Sequence, residues 1–307
     1  MHPFTKDFAE SVSARGETAL IRDIRRWLGS ASPRAPFGIG DDCAVLPPGR
    51  GRQLLTVDPV VYGRHFDDSI PARIVAAKLL KRNLSDLAAM GAKPTAAVIA
   101  LTLDAWVSLR WVEEFYRGLA TAARHYRVPI VGGDIAQADG VIVAGLTLLG
   151  KATAPRVLTR TGAKINDFIY VTGKLGGSLR SGHHWKFIPR RAEGAWLVRR
   201  PEVRAMMDLS DGLAKDLPAL TPKHAVAVLD AATLPRRAGC DLAAVLADGE
   251  DYELLFTVNA RANLSAMERA WRKKFPRVPL TRIGHFARTL PAGAPNLADY
   301  HGYEHLR

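Results

Sequence analysis

The sequence predicts an α/β (α+β) protein of two domains. Apolar runs of strand length alternate with amphipathic stretches of helix length, and the series stops and restarts about halfway along the chain. Of the 307 residues, 48% are apolar and 24% charged, a balance that lets two ordinary domains each bury a core.

In the first series QLLTVD (53 to 58) reads as a strand, PARIVAAKLLKRNLSDLAAMG (71 to 91) as a helix and TAAVIALTLD (95 to 104) as a strand. The apolar spacing of WVSLRWVEEFYRGLATAARHY (106 to 126) predicts a second helix, and VPIVGGD and VIVAGLTLLG follow as strands. Residues 1–150 therefore read as an α/β sandwich with some antiparallel pairing. KATAPRVLTRTGAKINDF breaks the pattern, which sets a domain boundary near residue 151. Residues 151–307 then supply FIYVTG, a helical and basic middle, AMMDLSDGLAKDL, AVAVLD, YELLFTV, a helix from about 261 to 275, and LTRIGHF. No low-complexity tract or solenoid period interrupts either half.

Composition excludes several classes of function. No apolar run approaches the roughly 20 residues that span a bilayer, and MHPFTKDFAESVSARGE lacks a signal-peptide apolar stretch, so a cytoplasmic protein without membrane partners is expected. Cys43 and Cys240 are too few and too far apart for a disulfide framework or a cysteine zinc site, leaving oxygen ligands for any metal. The net charge of +13 fits nucleic acid, a membrane surface or anionic small substrates. Much of the excess lies between Arg180 and Arg204 and in RAWRKKFPR (269 to 277); neither stretch matches a nucleic-acid module, and both read as solvated helix faces. His183 and His184, without an acidic neighbour in sequence, read as surface residues too.

The aspartates form the informative pattern. Asp41 and Asp42 follow GIG in GIGDDCAVL (38 to 46), Asp58 ends LLTVD, Asp86 lies on a helix, Asp134 ends IVGGD, and Asp208 and Asp211 sit in MMDLSD. Four of these places follow short apolar runs, near expected strand ends, where α/β proteins put their sites. Singly each has a structural explanation: Asp42 or Asp134 as a turn residue, Asp211 as a helix N-cap, Asp86 as an i,i+4 partner of Arg82. Gathered in one cleft they would repel one another unless cations lay between them, and hard oxygen donors suit Mg²⁺. Magnesium in turn suggests a phosphate-bearing substrate. Glycines in GIG, in GG before Asp134 and in GKLGGS (173 to 178) could bring backbone N–H groups to phosphate oxygens or simply make turns. There is no Walker loop and no protein-kinase signature, so a nucleotide site must be of another kind.

GIGDDCAVL, the D-x-x-x-x-G-x-H-F stretch from Asp58 to Phe66, NLSDLAAMGAKP, IVGGD, LTRTGAK, IYVTGKLG, MMDLSDGLAKDL and GEDYELLF run in the order found in the thiamine-monophosphate kinases. The chain resembles that family from about Gly16 to Gly302. The family lies in the superfamily of aminoimidazole-ribonucleotide synthetase, which binds ATP without a Walker loop. The resemblance implies that superfamily's two-domain fold: residues 1–150 an N-terminal sheet domain that binds ATP and magnesium and pairs in a homodimer, residues 151–307 a C-terminal α/β domain. It implies transfer of the γ-phosphoryl group of ATP to thiamine monophosphate, assisted by several Mg²⁺ ions and needing no general base. By motif position, Asp42, Thr56, Asp58, Asp86, Asp134, Asp208 and Asp211 would be metal ligands. Gly133, Asp134, Arg160 and Ser210 would contact ATP, and His65, Glu250 and Tyr300 would face the thiamine substrate.

Some positions depart from the family's usual pattern. Val57 and Pro59 replace hydroxyl residues flanking the aspartate of a TTDT-like strand end, Tyr62 stands where an acidic or small residue is common, Ile135 follows GGD, and Asp248 replaces the first glycine of GGED. They leave the carboxylate set intact. A superfamily relative with another acceptor, or a catalytically inactive basic binding protein of the same fold, are the competing readings; the missing cysteines argue against selenophosphate synthetase and hydrogenase-maturation relatives.

Overall fold

The computed structural model describes residues 2–34, 37, 39 and 51–304. Asp41, Asp42 and Cys43 lie outside the described residues. The chain divides into two compact units, one of Met1–Leu84 with Pro94–Lys151 and the other of Ser85–Lys93 with Ala152–Arg307.

The first unit opens with helices α1 (Val12–Arg15) and α2 (Glu17–Leu28). The sequence reading did not anticipate α2, yet its signals are present. Leu20, Ile24, Trp27 and Leu28 recur on one helical face and are buried, Glu17 opens the helix, and Arg25 and Arg26 close it in keeping with the helix dipole. Strand β1 (Gln53–Val61), helix α3 (Ala72–Ala89), strand β2 (Ala92–Leu103), helix α4 (Leu109–Tyr126), and strands β3 (Ile130–Gln137) and β4 (Ile142–Ala152) follow, the end of α3 from Ser85 and the start of β2 through Lys93 belonging to the second unit. Helix α4 starts at Leu109 rather than Trp106, because Val107 is bridged to Phe4 and Ser108 is an extended N-cap. It packs against α3 at Gly118, where a Cβ would lie 2.4 Å from the Arg73 Cα; only glycine permits that approach. An aromatic row from Phe66 through Trp111, Phe115 and Tyr116 to Trp27 fills the core, with ring centroids 5.5–6.5 Å apart.

The sheet order in this unit is β1-β4-β2-β3, with β1 antiparallel to β4 and β3 parallel to β2. Strand β1 continues past Asp58 to Val61, and its edge position explains why it tolerates Pro59. Likewise β3 continues past Asp134 to Gln137. The expectation that Asp58 and Asp134 terminate their strands is therefore corrected: both lie within strands, since a proline on an edge and a glycine pair do not stop pairing there. Asp208 does end its strand.

The second unit holds β5 (Phe168–Thr172), short helices α5 (Ser178–Ser181), α6 (His183–Lys186) and α7 (Arg191–Leu197), strand β6 (Val203–Asp208), helix α8 (Leu213–Asp216), strand β7 (Val226–Leu229), helix α9 (Leu242–Ala247), strand β8 (Leu254–Val258), helix α10 (Leu264–Lys274) and strand β9 (Leu280–Ala287). Its sheet runs β6-β8-β5-β9-β7, and the pairs β6–β8, β8–β5, β5–β9 and β9–β7 are all antiparallel. Ile169, Val171, Met207 and Leu255 point into one core, while Tyr170, Met206, Leu254 and Phe256 point into another. Burial on both faces explains why FIYVT and LLFTV are continuous apolar runs rather than alternating ones. Among the described residues no helix is long and apolar enough to cross a membrane.

Candidate functional site

The candidate residues of the first unit are Thr56, Asp58, His65, Gly133 and Asp134. Thr56 and Asp58 share the face of β1 that carries buried Leu54 and Val60, whereas Val57 and Pro59 alternate onto the other face. The two departures at 57 and 59 thus sit away from the carboxylate. Arg82, with a side chain only 8% exposed, donates from Nη2 to Asp58 Oδ1 at 3.2 Å and from Nη1 to the Pro59 carbonyl at 2.8 Å. His65 Nδ1 accepts from the Val61 N–H at 3.1 Å, and its own carbonyl accepts from Lys78 Nζ at 3.1 Å. Tyr62 donates to Asp68 at 2.8 Å, and that bond raises its hydroxyl above the usual pKa.

Gly133 and Asp134 lie on β3. A Cβ at Gly133 would stand 2.3 Å from the Ile99 carbonyl, so close strand packing already requires this glycine. The Asp134 carboxylate is exposed, and among the described residues no hydrogen bond or ion pair engages it. Beside the glycine pair is a cavity of about 80 Å³, walled by Ile21, Ile24 and Leu28 of α2, Ile99, Tyr116 and Ile135. Ile135, a departure in sequence terms, is thereby part of an apolar wall. Tyr116, which sequence reading did not single out, is buried, and burial pushes its hydroxyl well up, so that it stays neutral. Strands β1 and β3 are the two edges of the sheet, three strand spacings apart, or about 14 Å. Within this one sheet Asp58 and Asp134 are not brought together.

The second unit holds Asp86, Arg160, Asp208, Ser210, Asp211, Glu250 and Tyr300. Ser85, next to Asp86 on α3, donates from Oγ to Asp208 Oδ2 at 2.6 Å, which fixes this helix end against the end of β6. The Ser210 and Asp211 N–H groups donate to Asp216 Oδ2 at 2.9 and 3.0 Å, holding the turn between β6 and α8. Asp211 also pairs with Lys215 at 3.1 Å. Burial pushes Asp216 up to about 7, reinforced by the Asp208 and Asp211 carboxylates and opposed by the N–H bonds it accepts. Carboxyl groups are thus crowded at this turn, where the sequence placed ligands, and Asp216 is one that motif position does not mark. Arg160 is exposed beside Thr159, whose carbonyl accepts from the Met206 N–H at 2.9 Å. Tyr300 is half-buried against the core, and the Tyr303 N–H donates to the Asp211 carbonyl at 2.9 Å.

GEDYEL closes onto this turn. The Glu250 N–H donates to the Ser210 carbonyl and the Tyr252 N–H to the Leu209 carbonyl, both at 2.7 Å. Glu250 and Tyr252 both adopt left-handed backbone, φ 64° and 50°, a conformation that side chains other than glycine rarely take and that packing must sustain. Asp248 accepts the Gly177 N–H at 2.6 Å, so the departure from GGED ties this loop to GKLGGS. Asp251 accepts from Ser178 Oγ, the Gly176 N–H and Arg237. The expectation of a solvated basic segment is corrected at two places. His184 is 5% exposed with Nδ1 3.2 Å from Glu250 Oε2, and Arg190 grips buried Glu253 through two bonds of 2.6 Å. Their acidic partners lie far along the chain, where local sequence reading could not see them.

Among the described residues no three or more His, Cys, Asp or Glu converge closely enough to hold a metal by themselves. The donors are nevertheless all hard oxygens, the set that Mg²⁺ accepts.

The chain has relatives among known proteins. Residues 40–152 match the family model of the AIR synthase related protein N-terminal domain. A thiamine-monophosphate kinase from Rhodopirellula baltica is 35% identical over 286 residues, 87% of each chain. The crystal structure of thiamine-monophosphate kinase from Stenotrophomonas maltophilia superposes with a TM-score of 0.70 at 29% identity, over 87% of this chain and 94% of that one. The solved complex of AaThiL with AMPPCP and TMP superposes with a TM-score of 0.63 at 26% identity, over 96% and 98%.

Proposed function

This chain belongs to the thiamine-monophosphate kinase family, and we infer from that membership that it transfers the γ-phosphoryl group of ATP to the phosphate of thiamine monophosphate, giving thiamine diphosphate and ADP. The observation that carries the reading for this chain's own residues is the closure of GEDYEL on the turn after β6. Through it Glu250, proposed for the thiamine substrate, is bonded to Ser210, proposed for ATP.

An oxygen of the acceptor phosphate forms the new P–O bond as the bond from the γ-phosphorus to the β,γ-bridging oxygen breaks and ADP leaves. That oxygen is already ionised near neutral pH, so the protein must position and neutralise rather than remove a proton. Arg160 offers forked donors to phosphate, and we assign Gly133 and Ser210 to the nucleotide as well. The apolar cavity beside Gly133 suits the adenine ring, with neutral Tyr116 in its wall. Glu250 suits the positively charged end of the thiamine substrate, and we assign His65 and Tyr300 to that substrate as well.

We assign Thr56, Asp58, Asp86, Asp134, Asp208 and Asp211 to Mg²⁺, with Asp42 beyond the described residues. Small groups of carboxylates are enough, because Mg²⁺ is commonly held by one or two of them together with substrate phosphates. When bound, it neutralises charge on the triphosphate. The separation of Asp58 and Asp134 onto opposite edges fits a shared-substrate arrangement better than a closed protein cage.

The outer face of the four-stranded sheet leaves Leu55, Val57 and Val98 exposed, at 70%, 65% and 38%. Apolar side chains on one sheet face support pairing with the same face of a second copy. Leu55→Asp with Val57→Asp is expected to halve the particle mass in sedimentation at micromolar protein; an unchanged mass would assign the face elsewhere.

A product assay with ATP, Mg²⁺ and a panel of thiamine, thiamine monophosphate and aminoimidazole-type acceptors tests the reaction. Thiamine monophosphate should be phosphorylated and free thiamine should not. Equal turnover of free thiamine would contradict a site organised around an acceptor phosphate.

A further inference from the structure

The segment SGHHWKFIPR (181 to 190) faces the acidic loop residue by residue. His183 Nε2 lies 3.0 Å from the Asp251 carbonyl, His184 Nδ1 lies 3.2 Å from Glu250 Oε2, the Phe187 ring stacks on Tyr252 with centroids 4.1 Å apart, and Arg190 grips Glu253. The contacts fall at 183, 184, 187 and 190, so one short stretch reads four consecutive residues of the loop. Tyr252 in turn donates its hydroxyl to Glu250 Oε1 at 3.2 Å. Both carboxylate oxygens of Glu250 therefore have a partner, one on each side, at a residue whose left-handed backbone needs outside support.

We propose that His184 is a positioning residue that, with Tyr252, orients the Glu250 carboxylate toward the thiamine substrate, and that the basic segment serves as a cradle setting affinity for that substrate. This rests on the reading of Glu250 given above. The geometry is that of a buried donor fixing a functional acceptor. His184 is almost fully buried, its Nδ1 stands 3.2 Å from Oε2, and the Glu250 side chain remains 20% exposed, so the carboxylate is held while still reachable. With its donors lost, Glu250 could rotate among staggered positions and would meet the substrate in the required one only part of the time. The expected signature is weaker binding of one substrate, because the ATP contacts belong to other elements.

The test uses the full chain with saturating ATP and Mg²⁺. His184→Ala should raise KM for thiamine monophosphate by about tenfold or more, with KM for ATP and kcat within about threefold. His184→Asn, whose side-chain N–H can replace Nδ1–H, should recover most of that loss. Glu250→Gln should also raise KM for thiamine monophosphate, and adding His184→Ala to it should change KM by less than about twofold, since the two act through one contact. If Glu250→Gln leaves that KM unchanged, the substrate reading of Glu250 fails. If Glu250→Gln raises it and His184→Ala does not, or raises KM for ATP equally, the positioning role fails. Tyr252→Phe gives the same comparison from the other oxygen should His184→Ala not fold.

Discussion

Asp134→Asn is expected to lower kcat by about 100-fold or more, the loss typical of removing one group that stabilises transition-state charge. The melting temperature measured without metal should stay within about 2 °C, as for other surface substitutions. Position 134 separates chemistry from folding unusually well. Its carboxylate is exposed on an edge strand, and among the described residues it takes part in no hydrogen bond or ion pair. Its backbone pairing opposite Ala100 is indifferent to the side chain. Asparagine has almost the same shape, so only charge and ligand strength change. Asp139→Asn, at an exposed position just past the same strand, is the control for a change of net charge and should leave kcat within about threefold. Turnover of Asp134→Asn near the wild-type value would return Asp134 to a surface role and remove it from the proposed magnesium set.

What could be read from sequence divides along a physical line. Strands such as FIYVT and LLFTV were legible because two buried faces leave no choice but continuous apolar residues. Helix α4 was legible from its spacing, though not its start, which Val107 sets through a bridge to Phe4, a partner distant in sequence. Helix α2 carries an apolar stripe and charged ends that match a helix well, but it stands ahead of the alternating series of strands and helices that begins at β1. The ends of β1 and β3 were misjudged because Pro59 and the Gly132–Gly133 pair look like stops when read alone. Pro59 is compatible with an edge strand, and Gly133 is required by the Ile99 carbonyl.

The site divides in the same way. Motif order nominated the aspartates, Ser210 and Glu250, the positions proposed to carry the chemistry. The residues that hold them in place were not visible: Asp216 caps the Ser210–Asp211 turn, His184 braces Glu250, and Arg82 meets Asp58. These act through pairings whose partners are mostly remote in sequence, and a histidine or arginine in a basic run carries no local mark of its carboxylate. The concentration of basic residues between Arg180 and Arg204 is thereby partly explained. Some of the charge answers the acidic loop rather than solvent or nucleic acid.

Arg190→Met is expected to destabilise the protein by about 3–5 kcal/mol, the usual cost of leaving a buried charge without its partner. Glu253 is 2% exposed and accepts two bonds of 2.6 Å from Arg190 and one of 2.7 Å from Thr172 Oγ1. Methionine replaces the length of the arginine stem but none of its donors, so Glu253 keeps only the threonine bond. For a cooperative unit of about 150–250 residues, a loss of that size lowers the melting temperature by about 6–20 °C. Glu253→Gln in the Arg190→Met background should recover much of it, because an amide can still accept from Thr172 without a buried charge. The melts of the two variants distinguish electrostatics from packing. Recovery in the double variant assigns the loss to the unpaired carboxylate. Equal destabilisation of single and double variants would assign it to the volume and shape of the arginine side chain. Glu253 follows Tyr252 directly, so the same ion pair anchors the end of the loop that presents Glu250. Arg190→Met should consequently raise KM for thiamine monophosphate at temperatures well below its melt, while a change confined to the melt would show that the ion pair supports the fold without shaping the pocket.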